Sequence, residues 1–434
     1  MTPLEAGILG CVLLMVLLIG SMPVAFAMGV VGVAGFALLR ADAGASLSMI
    51  TTTLYETLSS HSLTVIPLFV LMGQIAFHAG ISRRLFNTTY RWLGPLPGGL
   101  AMATVWACTG FGAICGSGPA TSATMASVAL PEMKRYKYDM ELGTGAVAAG
   151  GSLGMLIPPS VVFICYAILT EQSIGKLFIA GILPGIMISA LFCVTIYITC
   201  RCRPQMGPPG PSTTWRVKLA SLAGVGETLI LFALVMGGMF LGYFTPTEAA
   251  AIGAAGSLVI GLAKRRLSWT VVTRSLQETA RTTCMVLVIV AGAQMFGKFM
   301  TITDIPAEMA AALGRMPLPG WGIMALIILF YLVGGCFVDA LALLLLTVPI
   351  FDPVVRQLGY DPIWFGVIIV VVTQMGVISP PVGVCVYVVS GIERDVPLQT
   401  VFKGALPFLA ALIVASIILL AFPEISLFLP RLAR

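Results

Sequence analysis

Charged residues are scarce in this sequence. Asp, Glu, Lys and Arg make up 10% of its 434 residues, compared with about 25% in soluble domains. Hydrophobic residues make up 58%, and the mean hydropathy is +1.02. These values exclude a soluble globular domain and predict an all-α protein that crosses the bilayer many times.

Histidine is nearly absent, and no cluster of acidic residues replaces it. Two histidines without clustered acids argue against metal or triad chemistry, so neither an enzyme, a cofactor nor a metal other than sodium is expected. No basic stripe is interleaved with aromatic residues, so a nucleic-acid partner is not expected either. The ten cysteines lie mostly inside apolar runs, where they act as small apolar fillers.

Glycine and proline, by contrast, are abundant and interrupt the apolar runs. The run at 142–170 is 29 residues long, whereas about 20 suffice for a transmembrane helix. Three glycines and the Pro158-Pro159 pair at its centre do not continue a regular helix. Freed backbone groups at membrane depth are tolerated only where they face protein or a wet cavity. We therefore predict two half-helices whose broken ends form a binding site.

A second interrupted run occurs in the other half of the chain. Pro380-Pro381 follows Pro158-Pro159 by 222 positions, and Gly376 follows Gly154 by the same spacing. Corresponding broken segments in two halves of a membrane protein indicate the binding site of a transporter.

The apolar runs predict an inverted repeat, with about five spans and one re-entrant hairpin in each half. An odd number of crossings forces the second half into the membrane upside down. The predicted first half covers 1–200, with a hairpin at 98–131 and a broken span at 142–170. A linker at 201–218 precedes the second half, 219–434, with a hairpin at 319–353 and a broken span at 363–390.

Basic residues are distributed unequally between the two predicted sides. With the N-terminus on the periplasmic side, 17 of the 24 Lys and Arg residues fall on the inner side, while Arg315 and Arg434 are among the outer ones. The positive-inside rule favours this orientation, which makes the first hairpin open inward and the second outward. The inner side includes a basic loop around Arg83 and Arg84 and a basic amphipathic helix at 264–281, expected on the membrane surface.

Neutral oxygens cluster at the two predicted breaks. Unwound glycine-rich backbone presents carbonyls and nearby Ser or Thr adds hydroxyls, which suits sodium, whereas half-helix N-termini suit anions. The first predicted sodium site combines Ser117 and Thr121 with Ser152 and Gly154. The second combines Asp339 with Thr373, Gly376 and Ser379.

Each of these residues also has a structural alternative. Small residues permit close packing of helices in lipid, which is the more frequent role of any single Gly or Ser. Asp339 is an ionisable residue at predicted membrane depth, where charge is usually functional. Its alternative role is that of an N-cap for the helix beginning at Ala340.

Three motifs resemble the large membrane subunit of tripartite ATP-independent periplasmic (TRAP) transporters. They are Gly-Ser-Leu-Gly-Met-Leu-Ile-Pro-Pro-Ser at 151–160, Ser-Ile-Gly-Lys-Leu-Phe-Ile-Ala-Gly-Ile-Leu-Pro-Gly at 173–185, and Pro-Thr-Glu-Ala-Ala-Ala at 246–251. The resemblance implies a sodium-driven importer of organic acids, usually carboxylates, in the bacterial inner membrane. It further implies a periplasmic substrate-binding protein and a separate small membrane subunit of about four spans as partners.

The resemblance also implies an elevator mechanism, in which hairpins and broken spans carry the site against a scaffold of the remaining helices. Sodium would bind at the two clusters and substrate between them. The residues assigned to substrate are Gly118, Pro119, Pro158, Pro159, Ser160, Pro380 and Pro381.

Three other functions are compatible with parts of this pattern. The first is a sodium/dicarboxylate symporter that needs no binding protein. The second is an intramembrane enzyme, against which the shortage of histidine and acidic residues argues. The third is a passive channel, which paired hairpins suit less well than they suit an occluded site.

Overall fold

The computed structural model describes residues 2–432, except 21, 41, 212, 306, 307 and 309–318. Every regular element in this part of the chain is helical, which confirms the predicted all-α class. Arg315 and Arg434, which the charge count placed on the outer side, lie outside the described residues.

The described helices divide between the two halves of the chain. Those of the first half are α1 (Pro3–Ile19), α2 (Val24–Arg40), α3 (Ala43–Ser59), α4 (Val65–His78), α5 (Ile81–Leu93), α6 (Gly99–Cys115), α7 (Gly118–Arg135), α8 (Met140–Ser152), α9 (Val161–Thr170) and α10 (Ile174–Cys202). Those of the second are α11 (Trp215–Ser221), α12 (Ala223–Phe240), α13 (Pro246–Ala263), α14 (Trp269–Ile302), α15 (Gly320–Gly335), α16 (Ala340–Gln357), α17 (Pro362–Ile378), α18 (Val384–Ile392), α19 (Leu398–Ala421) and α20 (Glu424–Leu432).

Seven helical stretches of the described residues are long and apolar enough to cross a membrane. They are α10, α13, α14, α16 and α19, together with α4 plus its preceding turn and the α11–α12 pair. The hairpin and half-helix elements α6, α9, α15 and α17 are apolar but only 10–17 residues long. One end of each of these helices lies at a hairpin tip or at a helix break.

Two sequence-based predictions about connecting segments are wrong. The segment around Arg83 and Arg84, predicted as a basic loop, forms helix α5. The predicted surface helix at 264–281 is not separate, because α14 runs without interruption for 34 residues from Trp269 to Ile302. No glycine or proline lies between the amphipathic and the apolar part of α14 to end the helix.

The helices repeat at the predicted spacing. Helices α7 and α8 begin at Gly118 and Met140, and α16 and α17 begin 222 positions later, at Ala340 and Pro362. Equivalent aspartates cap α8 and α17: Asp139 accepts from the N–H of Glu141 and Asp361 from that of Ile363, both at 2.8 Å. Both Pro-Pro peptide bonds are cis.

The hairpins and broken spans of the two halves interlock. The second arm of each hairpin packs against the half-helix that follows the break in the other half, α7 against α18 and α16 against α9. Helix α8 similarly packs on α19, and α17 on α10. These elements therefore form one body built from both halves.

Basic side chains at equivalent positions of the repeat add further contacts between the two halves. Lys134 Nζ lies 2.6 Å from Glu393 Oε1, just beyond α18. Arg356, 222 positions later, donates to the carbonyl of Thr170 at the end of α9, over 2.9 Å. Each hairpin is thus tied to the broken span of the opposite half.

The remaining long helices form a second layer, in which helices of one half again pack against helices of the other half. Helix α2 packs against α14, and α13 against α4. Glycines allow the close approach: a Cβ added to Gly32 would lie 2.7 Å from the backbone of Met295. We refer to α1–α4 and α12–α14 as the outer layer.

Replacing Gly404 by Ala is predicted to destabilise the interlocked body. Gly404 of α19 faces the Glu141 carbonyl and Gly145 of α8, so an added methyl group meets backbone. Overpacking of this kind costs about 1–3 kcal/mol, so the thermal midpoint of the purified protein should fall by several degrees. Gly237→Ala is the matched control, since nothing lies within 4 Å of its added Cβ. Equal melting of both variants would contradict the packing described here.

Candidate functional site

The two hairpin tips place the N-termini of α7 and α16 on opposite sides of one cavity, with Ser117 half-buried and Asp339 exposed. Gly116 ends α6 with φ of +66°, a left-handed conformation that favours glycine, and extended Ser117 precedes α7. The Ser117 side chain makes no capping bond. At the other tip, Asp339 Oδ2 accepts from the N–H of Leu341 over 3.1 Å and caps α16. Asp339 therefore acts as the N-cap of α16, the structural alternative predicted for it from the sequence.

A cavity of about 150 Å³ lies between these tips. Both tips line it, together with residues of α4, the α8–α9 segment and α14. The lining residues are Val70, Gln74, Cys115, Gly116, Ser117, Gly118, Pro119, Ala120, Met155, Val161, Val162, Thr282, Met285, Val286, Asp339, Ala340 and Leu341. Asp339 is the charged member of this set.

The first half-helix break is held against the first hairpin tip. Helix α8 ends at Ser152, a single 3-10 turn covers Leu153–Met155, and α9 begins at Val161. The Ser117 carbonyl accepts from Thr121 Oγ1 over 2.8 Å. A Cβ added to Gly154 would lie 2.6 Å from Thr121 Oγ1 and 2.9 Å from that carbonyl.

The four residues of the first predicted sodium cluster therefore lie together. Ser152 lies across from Gly118 of the hairpin, since a Cβ on Gly118 would be 3.5 Å from the Ser152 Cα. The hydroxyls of Thr121 and Ser152 are buried and donate to carbonyls of their own helices. Each hydroxyl oxygen keeps acceptor lone pairs that these donor bonds do not use.

The second break begins later than predicted. Helix α17 continues through Thr373 and Gly376 to Ile378, and the non-helical segment is 379–383 rather than 373–383. Gly376 packs directly on Gly335, which explains why a glycine is tolerated in this helix. A Cβ added to Gly376 would lie 2.5 Å from the backbone of Gly335. The helix ends where Pro380 disfavours helical backbone in the preceding residue.

The residues of the second predicted cluster lie in two different places, at the second helix break and in the cavity wall. Ser379 Oγ lies 3.1 Å from Cys336 Sγ and donates to the Gly376 carbonyl over 3.3 Å. Thr373 Oγ1 donates to the carbonyl of Val370. Asp339 instead lines the cavity beside the tip of the first hairpin.

The residues predicted to bind substrate are also divided. Gly118 and Pro119 line the cavity. Pro158, Pro159 and Ser160 are buried, whereas Pro380 and Pro381 are exposed. Ser160 caps α9, because its hydroxyl accepts from the N–H of Phe163 over 3.4 Å and donates to the Met155 carbonyl.

Several cavity residues were not predicted from the sequence. Gln74 and Thr282 contribute an amide and a hydroxyl from the outer layer, and Cys115 contributes a thiol from the end of α6. Gln374, next to Thr373, is fully buried, and neither atom of its amide has a partner among the described residues. The 220-residue spacing between Gln74 and Gln294 was the available signal for Gln74.

The cavity presents helix N-termini, neutral oxygens and one carboxylate. No lysine or arginine lines the cavity among the described residues, so an anion there meets helix N-termini instead of a basic side chain. Clustered neutral oxygens beside Gly154 and one carboxylate at Asp339 are suited to a small cation.

Several known proteins are similar to this chain in sequence or in fold. The family profile described as "Tripartite ATP-independent periplasmic transporter, DctM component" matches residues 11–425. The C4-dicarboxylate TRAP transporter large permease protein DctM of Pseudomonas aeruginosa is 38% identical, over 89% of this chain and 90% of that protein. The sialic acid TRAP transporter large permease protein SiaM of Vibrio cholerae is 33% identical, over 96% of each chain.

The solved structure of the Alcanivorax borkumensis YdaH transporter has a similar fold. Its TM-score is 0.63 over 88% of this chain and 89% of that chain, at 16% sequence identity. The match to the family profile extends over nearly the whole sequence. The chain therefore belongs to the TRAP transporter family, as a large permease (DctM) component.

Proposed function

We propose that this permease couples the import of an organic acid to the entry of sodium. A periplasmic binding protein would deliver the acid, and a small membrane subunit of about four spans would complete the transporter in the inner membrane. The observation that carries the proposal is the cavity between two repeat-related hairpin tips, with a broken helix behind each tip.

Sodium is assigned to the contacts between each hairpin and its broken span. At the first, the Ser117 carbonyl, Thr121 Oγ1 and the backbone at Gly154 converge within a few ångströms. At the second, Gly376 and Ser379 occupy the equivalent contact with α15. Because α17 stays helical through Thr373, its hydroxyl rather than its carbonyl is the available ligand there.

The substrate is assigned to the cavity between the tips. The α7 N-terminus is open, since Ser117 makes no capping bond, and it can accept a carboxylate. Asp339 already occupies the α16 N-terminus with its own carboxylate. The relatives are named for a C4-dicarboxylate and for sialic acid, so we propose a small organic acid and leave its identity to the binding protein.

An elevator movement of the interlocked body would carry this site across the membrane. Contacts of α7 with α18 and of α16 with α9 join both hairpins and both broken spans into one unit, which is a requirement for rigid-body transport. The outer layer would supply Gln74 and Thr282 to the cavity wall in this state. The N-terminus would be periplasmic, with the first hairpin opening inward and the second outward.

Uptake into proteoliposomes tests the proposal. The acid is first identified by a thermal-shift screen of the binding protein, and the permease is reconstituted with both partners. We expect uptake with an inward sodium gradient and background uptake with potassium or choline. Uptake that is indifferent to sodium would contradict the proposal, and uptake by this chain alone would favour a symporter without binding protein.

Thr121→Val tests the first sodium site. The substitution keeps the shape of the side chain but removes the oxygen beside Gly154, so the sodium concentration for half-maximal uptake should rise about ten-fold, equivalent to ~1.4 kcal/mol. Thr121→Ser should keep the wild-type value. Thr104→Val is the matched control, because Thr104 is buried and bonded to its own helix on α6. An unchanged sodium dependence in Thr121→Val would remove Thr121 from the site.

A further inference from the structure

Two polar clusters in the outer layer occupy equivalent positions in the repeat. The first polar cluster joins α3 to the second half of α14 and comprises Thr53, Glu56, Thr57, Gln294 and Lys298. The second polar cluster joins the first half of α14 to α4 and comprises Ser275, Glu278, Thr279, Gln74 and His78. The three residues on α3 and their counterparts on α14 are 222 positions apart, and the two remaining pairs are 220 apart.

The first polar cluster is fully bonded. Lys298 Nζ donates to Thr53 Oγ1 over 2.9 Å and contacts Glu56 Oε2 at 3.2 Å. Thr57 Oγ1 donates to Gln294 Oε1 over 3.1 Å. Every member of the cluster therefore has a partner in another member, and α3 is fixed to α14.

The second polar cluster has the same chemistry but lacks the bonds. His78 Nε2 and Glu278 Oε2 are 3.7 Å apart, too far for a hydrogen bond. Ser275 Oγ, Thr279 Oγ1 and His78 Nε2 have no hydrogen-bond partner among the described residues. Gln74, the counterpart of Gln294, lines the cavity instead.

Burial does not explain the difference between the clusters. Thr53 and Thr57 are 0% and 1% exposed, and their counterparts Ser275 and Thr279 are 0% and 7% exposed. A buried hydroxyl without a partner costs free energy that a small rearrangement would recover. The second polar cluster thus contains the groups for a set of bonds that this conformation does not make.

The backbone is asymmetric at the same place. Helices α3 and α4 are separated by a 3-10 turn at His61–Thr64. The equivalent residues of the second half lie inside the continuous helix α14. Two repeat-related segments therefore adopt two conformations in one molecule, one bent with its cluster bonded and one straight with its cluster open.

We propose that the two polar clusters alternate during transport. In the opposite access state, the second polar cluster closes through Thr279–Gln74 and Ser275–His78 bonds, and the first opens and releases Gln294. This inference rests on the proposed transport function: the two halves share one fold in opposite orientations, so the conformation adopted by one half is also available to the other. Gln74 and Gln294 then act as positioning residues, each free to face the cavity in one state only.

Hydrogen–deuterium exchange of the full chain in lipid nanodiscs tests the alternation. The double variant Thr57→Val/Lys298→Met opens the first polar cluster. We expect amide exchange in α3 to rise about five-fold and exchange in 269–282 to slow by a similar factor, as the loss and gain of single hydrogen bonds would give. Increased exchange in α3 with no change in 269–282 would show a purely local role and overturn the inference.

A second variant, in the second polar cluster, tests the alternation independently. His78→Lys places in the second polar cluster the lysine that the first contains. Amide exchange in 269–282 should then slow, and exchange in α3 should rise although every bonding partner of α3 is still present. Thr52→Val is the control, because Thr52 is exposed and bonds only within α3. The exchange measurement needs neither substrate nor gradient, so it is independent of the uptake assay. Uptake that does not depend on sodium would reject the proposed coupling but would not change the outcome of the exchange measurement.

Discussion

The structure depends on one constraint of the bilayer: a helix that breaks in lipid must find protein partners for its freed backbone. Both broken spans meet this constraint with a hairpin. Gly154 lies against Ser117 and Thr121, and Gly376 lies against Gly335, so that glycine at both positions lets backbone approach backbone. The same contacts that satisfy the broken helices collect carbonyl and hydroxyl oxygens in one place, and the proposed sodium sites use these groups.

The exchange of contacts between the halves follows from this arrangement. Each hairpin packs against the half-helix of the opposite repeat, and Lys134 and Arg356 tie both pairs at equivalent positions. A half separated from its partner would expose these surfaces. The cavity consequently lies between the two tips, where groups from both repeats and from the outer layer meet. Transport by one half alone is incompatible with such a site.

The sequence predicted the class, the repeat spacing and the two helix breaks, because proline and glycine act locally on the backbone. Ser117, Thr121, Ser152 and Gly154 were predicted together because the broken segments of a transporter are expected to meet at its binding site. It did not predict that α17 continues to Ile378, since that depends on packing of Gly376 against Gly335. Nor did it place Asp339 beside the first hairpin tip or Gln74 in the cavity wall, because such contacts between distant segments depend on tertiary packing.

Direct observation of bound sodium tests the central claim most closely. Cryo-electron microscopy of the reconstituted transporter in sodium and in choline would compare the two hairpin–break contacts at equal resolution. We expect density in sodium alone, about 2.4 Å from oxygens at Ser117 and Thr121, as is usual for oxygen-bound cations of this size, and a second peak near Gly376 and Ser379. Identical maps in both salts, with no density at either contact, would contradict sodium binding at these two contacts.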